Sequence, residues 1–487
     1  MGERMNELFL AKAIKTEVRC KRETIKARGD FSALQKGEER VFDFGNHFVG
    51  NIKIRFSLGK GCFDAPFTVD LFFAENKREL AAKNMQYTGG MSEAWIQKER
   101  VRIHELPFVL ELPTRYACRF VCVELSAVST EYSVCVNEVE MEERTSAFGE
   151  VDCVGNTPLE KRIDEVSLRT LRSCMQEVFE DGPKRDRRLW LGDLRLEALV
   201  NYETYCNYEL VKKCLYLFAA MTNERGLCKG CIFTTPSVYV PQGDMFDYPL
   251  LFISALLEYY ENAKDEQTAK ELFPTAVKQL QLIADFFDQD GKLKENENVG
   301  WVHIDWSEEI DRVACGQAVY VYAAKALKKL SVALGETLRW IDEEIEQKSA
   351  ALQAYYDEER GVFVGKGGRI SYAQNVWSVL AGVLTVEKRA AVLQRLATYE
   401  NAVKPTSPYM YHYYVQALCD CGLFSTAKET ILWYWGKMVE DGADTFYEVF
   451  NPDNLQESPY GQGGALLNSY CHAWSCTPAY FFRKYAL

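Results

Sequence analysis

Residues 181–193 read DGPKRDRRLWLGD. This stretch holds three aspartates (Asp181, Asp186, Asp193), four cations (Lys184, Arg185, Arg187, Arg188) and Trp190, broken by Gly182, Pro183 and Gly192. Gly-Pro argues against a regular helix here, and the density of charge argues against a buried strand. A loop with fixed backbone corners that turns several charges into one space needs both features. What the loop joins is decided by the hydrophobic period on either side.

Upstream the period is two. From about residue 37 to 145, VFDFGNHFVGNIKIRFSLGKG alternates and turns at Gly59–Gly61, and FTVDLFFAE, WIQKERVRI, FVLEL, RFVCVELSA and YSVCVNEVEME follow. Several short strands with turn residues between them predict an antiparallel β-sandwich over residues 37–148. Asp43, His47 and His104 are its polar candidates, each read as a turn or edge residue. Residues 1–36 are polar and basic with weak periodicity, read either as an arm on the sandwich or as a partly disordered extension.

Downstream the period is helical from about residue 157 to the end. Pro158 opens LEKRIDEVSLRTLRSCMQEVF, whose Leu159, Ile163, Val166, Leu168 and Leu171 form one apolar stripe. Roughly a dozen such runs follow once the longest are split, the last being GALLNSYCHAWSCTPAYFFRKYA. Some are amphipathic, as EKRAAVLQRLATYE is. Others, such as YPLLFISALLEYY and SYAQNVWSVLAGVL, are nearly uncharged and must be covered on most sides. Alternating covered and exposed helices predict two concentric rings of six hairpins, an (α/α)6 toroid over residues 149–487 in a mainly α chain. A two-layer solenoid competes, but no fixed-length repeat supports it. In a toroid the loops at one end of the inner helices converge on the axis, which is where residues 181–193 belong.

The bulk numbers bound the rest. The chain has 487 residues, 47% hydrophobic and 26% charged, enough for two domains with a sizeable core. A net charge of −13 disfavours nucleic acid and anionic membranes as partners. Sixteen cysteines are scattered, in a chain read as having no signal peptide and no spanning apolar run. They are read as free thiols in a reducing, cytoplasmic compartment. Cys228-Lys229-Gly230-Cys231 has no second pair, and the histidines at 47, 104, 303, 412 and 472 lack paired spacing, so neither a metal nor another cofactor is expected. A homo-oligomer is compatible with all of this.

Four segments combine carboxylates or histidine with aromatics: the opening loop, VGWVHIDWSEEIDR with His303, Asp305 and Trp306, DGADTFYEVFNP with Glu448, and NSYCHAWS with His472 and Trp474. Two carboxylates in an aromatic pocket suit glycoside hydrolysis, in which one must carry a proton for the leaving oxygen and the other must be ionised. Aromatic walls raise the acid's pKa by desolvation and stack on sugar C–H faces. Structural roles stand beside these. Asp181 and Asp193 suit helix caps, the arginines a solvated run, Asp305-Trp306 a cap and core anchor, and His472 a core histidine. Glu448, flanked by Tyr447 and Val449 and then by Phe446 and Phe450, has no evident structural purpose.

Asp181-Gly182-Pro183-Lys184-Arg185-Asp186 followed by Trp190-Leu191-Gly192-Asp193 resembles the signature of the glycoside hydrolase family 78 α-L-rhamnosidases. The order of domains is similar over residues 37 to 487. The resemblance implies an inverting hydrolase with Asp186 as general acid and Glu448 as general base. Asp181 and Asp193 would bind sugar hydroxyls, Arg185 would orient the acid loop, and Asp305, Trp190 and Trp306 would belong to the sugar site, with His472 contacting the sugar. The substrate implied is a small rhamnoside, since the accessory modules of larger members are not found. Two departures stand out: Asp186 where the best-known members have glutamate, and Asp244-Met245-Phe246-Asp247 where the family often has Trp-Asp. Rival expectations are an exo-glycosidase on another neutral or 6-deoxy sugar, a polysaccharide lyase, and a non-catalytic sugar binder on the same toroid.

Overall fold

The computed structural model describes residues 2–295, 300–455 and 458–487. Helix α1 (Gly2–Lys15) precedes β1 (Lys21–Lys26), β2 (Arg28–Gly29), β3 (Glu39–Gly61), β4 (Phe67–Ala74), helix α2 (Lys77–Ala82), β5 (Lys98–Ile103), β6 (Phe108–Ala127) and β7 (Tyr132–Thr145). The strands form one antiparallel ladder in the order β1-β7-β3-β6-β4-β5, with β2 against β3. Where short strands were expected, β3 runs for 23 residues and β6 for 20. β3 continues through its glycines because register shifts against β6 absorb the extra residues, one between Asp43 and Phe48 where Gly45 takes φ 85°. The far half of β3 pairs with β7, while the far half of β6 pairs with β4. Alternate residues of both halves enter one core: Ile52, Ile54 and Phe56 meet Val69, Leu71, Val121 and Val123.

The first 36 residues join both parts of the molecule. β1 pairs along its length with β7, from Lys21 opposite Thr145 to Lys26 opposite Glu140. Helix α1 crosses to the helical part, where Phe9 meets the Tyr216 ring at 5.9 Å and Lys12 pairs with Glu271.

The helical part comprises α3 (Pro158–Cys174), α4 (Leu191–Tyr202), α5 (Tyr208–Ala220), α6 (Asp247–Ala263), α7 (Glu266–Ala284), α8 (Arg312–Leu334), α9 (Ile341–Gln353), α10 (Tyr372–Ala381), α11 (Val386–Leu396), α12 (Pro408–Asp420), α13 (Phe424–Glu440) and α14 (Pro478–Lys484). Their starts are legible in the chain. Thr157 and Glu160 form a capping box ahead of α3 with Pro158 in its first turn, and Asp311, Ser371 and Ser407 cap α8, α10 and α12. Helices α4, α6, α8, α10 and α12 touch in succession, and the turn Ala473–Ser475 touches both α12 and α4. Helices α7, α9, α11 and α13 each pack against members of this series. Nine of ten residues of α10 are buried, against three of eleven in its partner α11. Helix α4 is buried at every position although it carries Asp193, Arg195 and Glu197.

The last apolar run departs from its helical expectation. Only Pro478–Lys484 forms an α-helix, and the residues before it cross the end of the helical part. Their backbone groups bond to other segments: Glu448 N donates to Ser469 O (3.0 Å), His472 N to Phe446 O (2.9 Å) and Ala473 N to Asp181 O (2.7 Å). Long-range pairing thus takes the donors that a helix would use. His47 is a second correction. It is buried between the two domains, not at an edge, with Nδ1 3.1 Å from Ser173 Oγ and Nε2 3.2 Å from Glu75 Oε1.

Candidate active site

The loop between α3 and α4 closes on itself. The Asp181 carboxylate accepts from the backbone N–H of Arg188 (3.0 Å) and Asp186 (3.3 Å), and Arg187 N donates to Gly182 O (3.0 Å). A Cβ on Gly182 would lie 2.3 Å from Arg185 O, so only glycine admits this turn. Arg187 holds a left-handed backbone (φ 61°), tied down by its guanidinium on Pro183 O (2.8 Å) and on Arg115 O of β6 (3.2 Å). Trp190 and Asp193 then ride on the first turn of α4, where neither makes a cap bond. Gly192 lets the Tyr248 ring approach, since a Cβ would sit 2.6 Å from it.

Arg185 is the hinge of the site's charges. Its guanidinium lies 3.5 Å from Asp186 Oδ1, donates to Glu448 Oε2 and to Leu467 O (2.8 Å), and faces the Tyr460 ring at 4.3 Å. Tyr460 donates its hydroxyl to the other oxygen of Glu448, and Trp474 Nε1 donates to the Glu448 carbonyl (2.9 Å). Both Glu448 oxygens are therefore engaged. Asp186 differs: Arg188 stands 3.4 Å from Oδ2, but buried Oδ1 has no hydrogen-bond partner among the described residues.

Burial raises the Asp186 pKa against the pull of Arg185 and Arg188, and the Glu448 charge adds to the rise. Burial first, and then the neighbouring acid, pushes Asp181 and Asp193 well above the usual carboxylate range. Burial also drives His472 well below the ordinary histidine value and His303 down to about 3. His472 Nδ1 approaches Asp193 Oδ1 to 3.5 Å, and burial disfavours the charged form of each.

Asp181, Arg185, Asp186, Trp190, Asp193, Trp306, Glu448 and His472 line one cavity of about 240 Å³. That is below the range of about 300–1,000 Å³ usual for drug-sized ligands, and suits a single sugar ring. Asp305 is the exception among the residues singled out. Its carboxylate accepts from Thr406 N (2.8 Å), Thr406 Oγ1 (2.8 Å) and Ser407 Oγ (2.6 Å), pinning the turn before α12 while Trp306 faces the cavity. A larger groove of about 910 Å³ adjoins across Trp306, lined in part by Tyr372, Tyr411 and Trp433, and holds none of the four acids.

Sequence reasoning missed Met91, Tyr248, Trp301 and Tyr460 as cavity residues. Trp301 had a signal, since it stands in the loop already marked by His303 and Trp306. It also answers the second departure. Residues 244–246 pair with it through Trp301 N on Asp244 O (3.1 Å) and Phe246 N on Trp301 O (2.9 Å), bringing a tryptophan in from the next loop. Asp244 itself meets Lys229 at 2.8 Å, and Asp247 accepts from Ile304 N. Met91 comes from the sheet domain, and nothing in its local pattern marks it.

Two unlike carboxyls on one guanidinium, further acids whose pKa burial raises, and aromatic walls around one ring's volume make this the site of a glycosidase. Residues 10–143 match the N-terminal domain of glycosyl hydrolase family 78 alpha-rhamnosidases, and residues 148–486 the six-hairpin glycosidase domain of bacterial alpha-L-rhamnosidases. The chain belongs to glycoside hydrolase family 78. It is similar to a rhamnosidase from Klebsiella oxytoca solved with rhamnose bound, at 36% identity and TM-score 0.91, covering 99% of each chain. The family 78 rhamnosidase of Bacillus sp. GL1 shares the fold at 24% identity and TM-score 0.75, over 92% of this chain and 47% of its own. The Streptomyces avermitilis α-L-rhamnosidase complexed with L-rhamnose does so at 16% and 0.73, over 96% and 44%. A comparison with curated protein sequences returned no match.

Proposed function

We propose that this chain is an inverting α-L-rhamnosidase that releases rhamnose from a small glycoside or oligosaccharide. The observation that carries the reading is the unequal pair on Arg185, Asp186 with an open, pKa-raised carboxyl and Glu448 with both oxygens accepting hydrogen bonds. Asp186 gives its proton to the glycosidic oxygen as the bond to the anomeric carbon breaks. Glu448 takes a proton from the water that attacks the opposite face. Asp181, Asp193 and His472 bind sugar hydroxyls, and Trp190 and Trp306 pack on the ring's C–H faces. The ring-sized cavity supports action at a chain end, and rhamnose in the Klebsiella relative supports the choice of sugar. The successive contacts of α4, α6, α8, α10 and α12, closed by residues 473–475, support an (α/α)6 toroid with this cavity at one mouth. Sixteen free thiols support a reducing, cytoplasmic setting.

NMR of the sugar first released from an aryl α-L-rhamnoside tests the mechanism. The β-anomer is expected. Release of the α-anomer would overturn inversion and point to carboxyls about 5 Å apart with a covalent intermediate. A panel of aryl rhamnoside, fucoside, mannoside and arabinoside tests the sugar.

A further inference from the structure

Lys184 stands in the same loop as Asp186, yet it has no part in the chemistry above. Its side chain is fully buried. The ammonium donates to Glu79 Oε1 (3.0 Å) and to Asn468 O (2.5 Å), and lies 3.3 Å from Glu75 Oε2. Glu75 follows β4 and Glu79 lies in α2, so both carboxylates belong to the sheet domain, and both are completely buried. Three buried charges are a poor fastener, because desolvation offsets much of their attraction. They do hold a defined geometry, since each carboxylate is itself oriented. Glu75 meets His47 and accepts from Tyr470 N (2.8 Å), while Glu79 Oε2 accepts from Glu75 N (2.7 Å).

The segments tied to this cluster are those that carry the reacting carboxyls. Lys184 precedes Arg185, which grips Glu448 and Leu467 O. Asn468 and Tyr470, held by Lys184 and Glu75, flank Ser469, whose carbonyl receives Glu448 N. A second contact comes from the same domain. Thr88 N donates to Gln462 O (3.2 Å) beside Tyr460, and Tyr87, Met91 and Tyr460 pack on one apolar cluster with Phe72 and Leu467.

We infer that Lys184, clasped by Glu75 and Glu79, is a positioning residue through which the sheet domain sets the placement of Asp186 relative to Glu448. The sheet domain is then a working wall of the active site. Without the ammonium, Glu79 loses its cation, and the loop at 183–186 and the segment at 467–470 lose their common anchor. The inference rests on the reading of Asp186 and Glu448 as the reacting pair.

The test compares kcat and KM of variants on the aryl glycoside that the wild type cleaves best. Lys184→Met is expected to lower kcat about 10²-fold, the scale of a displacement of about 1 Å, with KM within about threefold. Glu79→Gln keeps the volume and removes one charge, and is expected to lower kcat about tenfold. Glu143→Gln is the control. It weakens the paired bonds to Arg172 elsewhere between the domains (3.0 and 2.9 Å), and kcat should stay within about twofold. Full kcat in Lys184→Met or Glu79→Gln, or an equal loss in Glu143→Gln, would overturn the inference. If Lys184→Met does not fold, Glu79→Gln decides alone. A wild type that cleaves another glycoside but no rhamnoside would sink the choice of sugar only, because the same ratios are then measured on that substrate.

Discussion

The seam between the 181–193 loop and the sheet domain, and the floor formed by Asp193 and Glu197 of α4, treat buried acids in opposite ways. At the seam, Lys184 of the loop lies between Glu75 and Glu79 of the sheet domain, and beside it Arg185 answers Asp186 and Glu448 of the helical part. On the floor, Asp193 and Glu197 sit one helical turn apart, fully buried. Among the described residues Glu197 has no partner on either oxygen, and Asp193 none on Oδ1. Burial first, then Asp193 and Asp181, pushes the Glu197 pKa well up. Paired charges hold geometry. Burial favours the protonated form of an unpaired acid, and a protonated acid can both donate and accept; of these two only Asp193 lines the cavity.

The largest break in this contrast is Glu448→Gln. It removes the counter-charge of Arg185 and the proposed base together. Activity on the aryl rhamnoside should fall by about 10²–10⁴-fold while the circular dichroism spectrum stays that of the wild type. Asp186→Asn should match it. Retention of most activity by either variant refutes its assigned role.

Asp305→Ala probes a carboxylate of a third kind, satisfied by neutral donors. It strands Thr406 N–H and two hydroxyls, and should cost about 1–3 kcal/mol in denaturant unfolding. KM should rise as Trp306 loses its footing.

Glu197→Gln sharpens the floor. Because the folded chain keeps a proton that the unfolded chain loses above about pH 4.3, Glu197 destabilises the fold increasingly as pH rises from there towards its raised folded value. The variant should therefore melt a few degrees higher at pH 8 and nearly unchanged at pH 4. A lower melting temperature at pH 8 would show that the carboxylate has a counter-charge after all.

The smallest effect is expected from Arg188→Met. Arg188 lowers the Asp186 pKa, so removing it raises that value further and the acid stays protonated to higher pH. The basic limb of the pH–rate profile should move up, and a downward move would count against Asp186 as the acid.

Much of the site is local in the chain. The loop at 181–193 reads as a loop because Gly182, Pro183 and Gly192 are corners that few other residues can make. Glu448 stood out because an acid among Phe446, Tyr447 and Phe450 has no structural purpose. Asp305 marks the limit of such reading. An acid beside a tryptophan reads alike whether its carboxylate points at a cavity or at Thr406, and only the backbone turn between His303 and Trp306 decides. Met91 carried no signal, since it meets the cavity across nearly a hundred residues or more, and Tyr460 carried none because only the fold turns its hydroxyl onto Glu448.

The chain by itself determined the two periods, the helix starts at Thr157, Asp311, Ser371 and Ser407, and the loop that holds Asp186, because each depends on contacts within a few residues. Only the tertiary structure decided that Lys184 faces two carboxylates of the sheet domain, that residues 467–475 abandon their helical pattern to pair with Phe446 and Glu448, and that Glu197 is left alone. Those outcomes depend on which backbone donors and which charges meet across tens to hundreds of residues, and the desolvation that sets their energies exists only once the chain has packed.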